Sequence, residues 1–337
     1  MTVRAEAAGP WLVGDVGGTN ARFALVEAPG AAPERVRVLP TRDFTGLGEA
    51  AAAYLAEETA RPAAACLAVA GPVGGGRYHL TNADWRPGEV ADVRDRLGLA
   101  AVEVVNDFAA LAASLPLLGP DDLRPVGGAA PAPDGTAPLA VLGPGTGMGV
   151  AGLVPVPGGG WIPTPGEGGH VDAPAATDEE VEVVRLLRAE CGAASAEMLL
   201  SGDGLARLHR LLGTVRGTPA EPLTAAQIVA GRDDPLCADA VAVFCALLGS
   251  FAGNAALTLG ARGGVYLGGG ILPRIADALE AGDFRARFEA KPLVEDYLRA
   301  IPTALVVHPY PALLGAAAHL ARTHPVRGAA APTLENA

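Results

Sequence analysis

Lysine is almost absent. Lys291 is the only one among 25 basic residues, and the other 24 are arginine. It precedes Pro292 and follows no glycine loop. Neither a Walker loop, which needs Gly-Lys-Ser/Thr, nor the strand lysine of a protein kinase is therefore available. A lysine Schiff base would also have to fall on Lys291. Any nucleotide is held here without a phosphate-gripping lysine. Cysteine is scarce too: Cys66, Cys191, Cys237 and Cys245 are scattered and form no Cys-x-x-Cys pair. That spacing argues against a structural zinc cluster and predicts buried free thiols in a reducing compartment. Positive charge is short, with a net charge of −12, which argues against nucleic acid as the main partner. No apolar run is expected to reach the roughly 18 residues of a membrane span. The opening "MTVRAEAAGPWLVGDV" lacks a signal peptide's apolar region, so a cytoplasmic protein without a membrane partner is expected. Aromatic residues make up only 4% of the chain, so its core must be mostly Ala, Val and Leu.

Glycine and proline, by contrast, are abundant, at 45 and 29 residues among 337. They punctuate apolar runs of strand or helix length, which predicts a folded chain with many turns, of one large domain or, preferably, two. "WLVGDV" and "ARFALVEA" flank "GGTN" and predict a β-hairpin. "LAVLGPGTGMGVAGLVP" repeats that plan of strand, glycine turn and strand. The two hairpins predict two architecturally related halves, joined through a loop at 126–138. "AVEVVNDFAALAASLP" changes from strand to helix at Asn106-Asp107. "TDEEVEVVRLLRAECG" predicts a helix with an apolar stripe of Val181, Val184, Leu186 and Leu187, and residues 235–259 predict a long apolar one.

Four places carry chemistry. Asp15 ends a buried strand directly before Gly17 and Gly18. Bare backbone in such a turn can cradle phosphate, and a carboxylate beside it calls for a cation between them. "GPGTGMG" at 143–149 offers a second phosphate turn; it fails the dinucleotide fingerprint, because a strand follows it. "LGGGIL" leaves room for the flat base of a nucleotide at Gly268, Gly269 and Gly270, or is simply a tight turn. Asp107 is either a helix N-cap or, at a strand's carboxyl end in this context, a general base. Glu167 and His170 of "PGEGGHVD" suit hydroxyl recognition, since a carboxylate can accept from two neighbouring hydroxyls. A metal reading would use Glu167, His170 and Asp172. Glu197 fits the same recognition of neighbouring hydroxyls or a helix first turn.

In their order, "GDVGGTNAR", "NDF", "GPGTGMG", "PGEGGHVD", "RAECGAASAE" and "GGVYLGGGILPR" resemble the bacterial ATP-dependent glucokinases, from about Trp11 to Arg322. The resemblance implies the α/β, two-domain, actin-like (ribonuclease H-like) architecture of the hexokinase–actin–heat-shock ATPase superfold, with a cleft between domains. The expected boundaries are 8–117 plus 309–326 for a small domain, 118–308 for a large one, and a loose tail at 327–337. The implied reaction moves the γ-phosphoryl of Mg-ATP to the 6-hydroxyl of glucose, the first step of glycolysis. Gly14, Asp15, Val16, Gly17, Gly18 and Thr19 would form the first phosphate loop, with Asp15 near the Mg2+ of bound ATP. Gly145, Thr146 and Gly147 would form the second, with 268–270 beside adenosine. Asp107 would be the catalytic base. Asn106, Glu167, His170 and Glu197 would hold glucose, with Asn82 close by. A homodimer is implied. A kinase for another hexose, a non-catalytic sugar sensor and an ATPase acting on protein stay open.

Overall fold

The computed structural model describes residues 9–128, 135–218 and 220–324. The expected tail at 327–337 and part of the 126–138 loop lie outside the described residues. The chain forms two compact units, Met1–Leu117 with Tyr310–Ala337, and Leu118–Pro309.

The first unit is built on a five-stranded sheet. Its strands, in spatial order, are Glu34–Pro40, Asn20–Val26, Trp11–Val16, Ala64–Val69 and Ala101–Asn106. Among the first three, each strand is antiparallel to its neighbour, and the last two run parallel to Trp11–Val16. Alternation along Trp11–Val16 sends Leu12 and Val16 into one apolar cluster with Leu47 and Tyr54. Trp11 and Val13 enter another, with Leu313, Ala316 and Leu320 of the Pro311–Thr323 helix. Successive side chains of a strand point to opposite faces, so an uninterrupted apolar run marks a strand covered on both. The Pro311–Thr323 helix also packs on the Asp107–Ser114 helix, where a Cβ at Gly315 would overlap the Ala110 carbonyl.

Glu103 fastens that C-terminal helix to the sheet. It accepts from His319 Nε2 at 2.5 Å and lies 2.9 Å from His324 Nε2. The hydrogen bond from His319, the largest contribution, holds the Glu103 carboxyl down at about 2, against an ordinary value of 4.5. A depressed carboxyl contributes stability that is complete above its unfolded value and is lost as pH falls through the folded one. The Tm advantage of the native protein over Glu103→Gln should therefore shrink between pH 4.5 and about 2. An advantage constant across that window would contradict the clamp.

The second unit carries a six-stranded sheet. Its spatial order is Trp161–Gly166, Met148–Pro155, Leu139–Pro144, Gly264–Leu267, Thr303–Val306 and Leu123–Pro125. The first five repeat the order and directions of the first unit's sheet: two antiparallel neighbours on one side of the leading strand, two parallel ones on the other. Both sheets thus lead with a strand that opens a glycine hairpin.

Three expectations fail here. The Pro235–Leu259 helix is long and apolar enough to cross a membrane, but 78% of its most apolar window is buried within the fold. It is a core helix, and Gly249 and Gly253 let the backbone at Phe284 and Phe288 approach it. On the Asp178–Cys191 helix, Val181 is 54% exposed, while Glu180 is buried and paired with Arg287 at 2.7 and 2.8 Å. The buried stripe is Glu180, Val183, Val184 and Leu187, so the expected Val184 and Leu187 are buried, and Glu180 also closes a capping box with Thr177. Cys191, expected buried, is exposed at the end of that helix.

Candidate active site

In the first unit the hairpin closes on a single bond, Gly17 N–H to Asn20 O at 2.9 Å. Among the described residues, the amides of Gly18 and Thr19 donate no backbone bond. Thr41 pins the turn from outside, its hydroxyl donating to Gly17 O at 2.8 Å and its N–H to Thr19 O at 3.0 Å. The glycines are there for different reasons. A Cβ at Gly14 would press on Leu67 and Phe23, and one at Gly18 would overlap the Asn82 carbonyl. A Cβ at Gly17 meets only Asn20 O, at 3.8 Å, and none of the three has positive φ. Nothing in the protein therefore requires Gly17 to be bare. Val16 is fully buried and offers only its backbone.

Asp15 stands opposite Arg22 in the hairpin register, and Arg22 Nη1 donates to Asp15 Oδ2 at 3.1 Å. Even so, desolvation outweighs the arginine and raises the Asp15 carboxyl above its ordinary value. The sequence placed Arg22 next to the turn but did not show that it pairs with Asp15. The antiparallel register supplies that pairing.

The N-cap role that the sequence offered to Asp107 falls to its neighbour. Asn106 is the N-cap: its Oδ1 accepts from Phe108 N at 3.0 Å and Ala109 N at 3.1 Å. Its Nδ2 donates to Gly71 O at 3.3 Å and to Asp107 Oδ1 at 3.1 Å. Asp107 is the first helical residue, so capping does not account for it. Desolvation, and then the charge of Asp15, push its carboxyl up to about 7. Asp107 and Asp15 are thus electrostatic neighbours at the carboxyl ends of their strands, where open α/β sheets gather ligands. Asn82 contributes its backbone to packing on Gly18 and leaves its side chain exposed.

In the second unit, Gly145 N–H bonds Gly147 O at 2.7 Å to close the other turn. Gly145 resembles Gly17, since a Cβ there meets only Gly147 O at 3.9 Å. Gly145 O accepts from Gly202 N–H at 2.9 Å, which sets the N-terminus of the Gly202–Val215 helix on the turn. Sequence reasoning missed this element; Ser201, its N-cap, was the available signal. Helix N-termini favour anions. Gly268 N–H bonds Leu142 O at 2.8 Å, and a Cβ at Gly269 (φ +92°) would overlap the Pro144 carbonyl. The 268–270 turn therefore lies against the second hairpin. A cavity of about 230 Å³ follows it, lined by Ala225, Ala226, Val229, Ala230, Ile271 and Arg274.

Glu197 is not in a helix. Its Oε2 accepts from Met148 N–H at 2.8 Å, and its own N–H donates to Gly169 O at 2.8 Å. With the bridge between Asp172 and Ser195, these bonds tie the 167–172 loop to residues 194–197. Glu167 and His170 are exposed, 3.9 Å apart. Glu167, His170 and Glu197 are thus brought together beside the second glycine turn. Among the described residues, Glu167, His170 and Asp172 do not converge as metal ligands.

The sequence profile of the glucokinase family matches residues 12–323. A glucokinase of Aromatoleum aromaticum is 47% identical over 316 residues, covering 92% of this chain and 94% of that protein. The crystal structure of a glucokinase from an Antarctic psychrotroph has a TM-score of 0.82 at 38% identity, covering 93% of this chain and 99% of the other. A ROK family glucokinase from Streptomyces griseus, solved with glucose and AMPPNP, shares the fold at a TM-score of 0.60 and 22% identity, covering 94% of this chain and all of the other (100%).

Proposed function

The chain belongs to the glucokinase family, and we propose from that premise that Asp107 is the base of an ATP-dependent kinase phosphorylating the 6-hydroxyl of glucose. The observation that carries this assignment is the Asp107 carboxyl itself. It starts a helix that Asn106 already caps, and it is held at about 7 by desolvation and Asp15. A general base works best when its pKa lies near the working pH.

Each unit's own geometry supports the other roles. In the first, the free amides at Gly18 and Thr19 receive phosphate oxygens, and Gly17 keeps the approach open. Asn106 orients Asp107 through its Nδ2, and Asn82 lies near the sugar. In the second, Gly145, Thr146 and Gly147 form the other phosphate turn beside the Gly202 helix N-terminus. The 268–270 turn and the cavity beyond it take the adenosine. Glu167, His170 and the remaining oxygen of Glu197 bracket sugar hydroxyls. Asp15 raises the proton affinity of Asp107, and among the described residues Arg22 is the one cationic side chain bonded to either; a pair so short of positive charge fits Mg2+ held by Asp15. That ion would neutralise charge on the nucleotide phosphates.

The repeated order of five strands supports the actin-like, ribonuclease H-like superfold. The family premise further carries a cytoplasmic homodimer at the entry to glycolysis. The test is ATP consumption by the purified protein over single hexoses. Glucose should be strongly phosphorylated, and mannose, fructose and N-acetylglucosamine weakly, while 6-deoxyglucose should inhibit without accepting phosphate. Phosphorylation of 6-deoxyglucose, or turnover confined to another sugar, would overturn the reading.

A further inference from the structure

His209, Asp234 and Cys237 each present a ligand atom within 4.8 Å of the others, in a part of the second unit that the kinase reading does not use. His209 projects from the Gly202–Val215 helix, and Asp234 and Cys237 from the start of Pro235–Leu259. His209 and Cys237 are buried, whereas Asp234 is exposed and offers an entry path. We propose that these three side chains form a divalent transition-metal site, suited to Zn2+, with water as the fourth ligand.

Three observations carry the proposal. First, His209 Nε2 and Cys237 Sγ are 3.7 Å apart. Two ligands on one tetrahedral ion, with Zn–S about 2.3 Å and Zn–N about 2.0–2.1 Å, would be separated by about 3.6 Å. The pair already stands at that separation. Second, His209 is only 3% exposed, and among the described residues the Cys237 sulfur is the one neighbour of hydrogen-bonding kind that its ring has. Third, Asp234 uses Oδ1 to cap the helix, accepting from Leu236 N at 2.9 Å and Cys237 N at 3.1 Å. Among the described residues it has no salt-bridge partner, so its other oxygen and its charge are available.

Burial, and then Asp234, raise the Cys237 thiol, so metal binding must displace its proton to the solvent. One thiolate and one carboxylate then balance a divalent cation. The mix of sulfur, nitrogen and oxygen ligands favours Zn2+ over Mg2+ or Ca2+. The ion would join the Gly202–Val215 helix to the start of Pro235–Leu259; between them in sequence lies the Ala225–Ala230 helix, which lines the cavity beyond Gly270. Sequence spacing did not reveal the site, because His209 and Cys237 are 28 positions apart and only one cysteine takes part.

Co2+ titration of the metal-free protein reports the site directly. The expected result is one equivalent bound, with a thiolate-to-cobalt charge-transfer band and the intense visible bands of four-coordination. Zn2+ should erase both and raise Tm. Cys237→Ala should lose the charge-transfer band and bind at least about tenfold more weakly, since even the partners of metal ligands are worth about 10–100-fold. Asp234→Asn, which keeps the cap, should weaken binding without removing the band. Cys191→Ala should behave as the native protein. No charge-transfer band at large excess of Co2+, or a band unchanged in folded Cys237→Ala, would overturn the proposal.

Discussion

Replacing Asp107 by asparagine should lower turnover with glucose by about 10²–10⁴, the range for removing a general base, with little change in Tm. The isosteric amide can still accept from Phe108 N–H, which the Asp107 carboxylate does at 3.0 Å. The helix keeps its cap, because Asn106 provides it. Were Asp107 merely a first-turn acid complementing the helix dipole, its loss would cost about 0.3–1 kcal/mol of stability and leave turnover alone. The two roles therefore predict opposite patterns in kcat and Tm. KM for glucose should move little, since the interaction lost is one made in the transition state. A folded variant with near-native turnover would remove Asp107 from the chemistry.

Gly17→Ala should raise KM for ATP by about fivefold to 150-fold and leave Tm unchanged. The protein offers the new methyl an open space, its nearest neighbour being Asn20 O at 3.8 Å, and φ at Gly17 is not positive. A surface change of that kind stays within about 0.5 kcal/mol in stability. A methyl intruding on closely held phosphate costs about 1–3 kcal/mol, as overpacking does elsewhere, and this sets the range given for KM. Gly18→Ala is the contrast. Its Cβ would overlap the Asn82 carbonyl, so it should lower Tm whether or not nucleotide is present. Steady-state kinetics and thermal melts on the two variants separate a ligand requirement from a packing one. Unchanged kinetics in Gly17→Ala would move the phosphate away from this turn.

Most of this organisation was legible in the chain because it is local. The Asp15 and Gly145 hairpins, the strand-to-helix change at Asn106-Asp107 and the capped Asp178–Cys191 helix follow from period, glycine position and cap chemistry. What escaped depends on partners distant in sequence. Arg22 meets Asp15 only through the hairpin register, and Glu197 meets Met148 across 49 positions. Gly14 and Gly18 look like further loop glycines until Leu67, Phe23 and Asn82 are in place. The membrane-length apolar helix misleads in the other direction, since composition does not say whether protein or lipid surrounds it. The bonds from the Asn106 amide to Gly71 and Asp107 are likewise carried only by the folded backbone.

The central claim is that Asp107 titrates near neutrality and must be deprotonated to act. The most direct measurement is the pH dependence of kcat/KM for glucose, which reports groups of the free enzyme. With Asp107 at about 7, kcat/KM should rise about tenfold per pH unit on the acid side and level off above that value. Because Asp15 raises Asp107, the folded Asp15→Asn variant should show the inflection at lower pH, a shift that a histidine titrating elsewhere would not give. A profile flat from pH 5 to 8, or an inflection unmoved in Asp15→Asn, would contradict the assignment of Asp107 as the base.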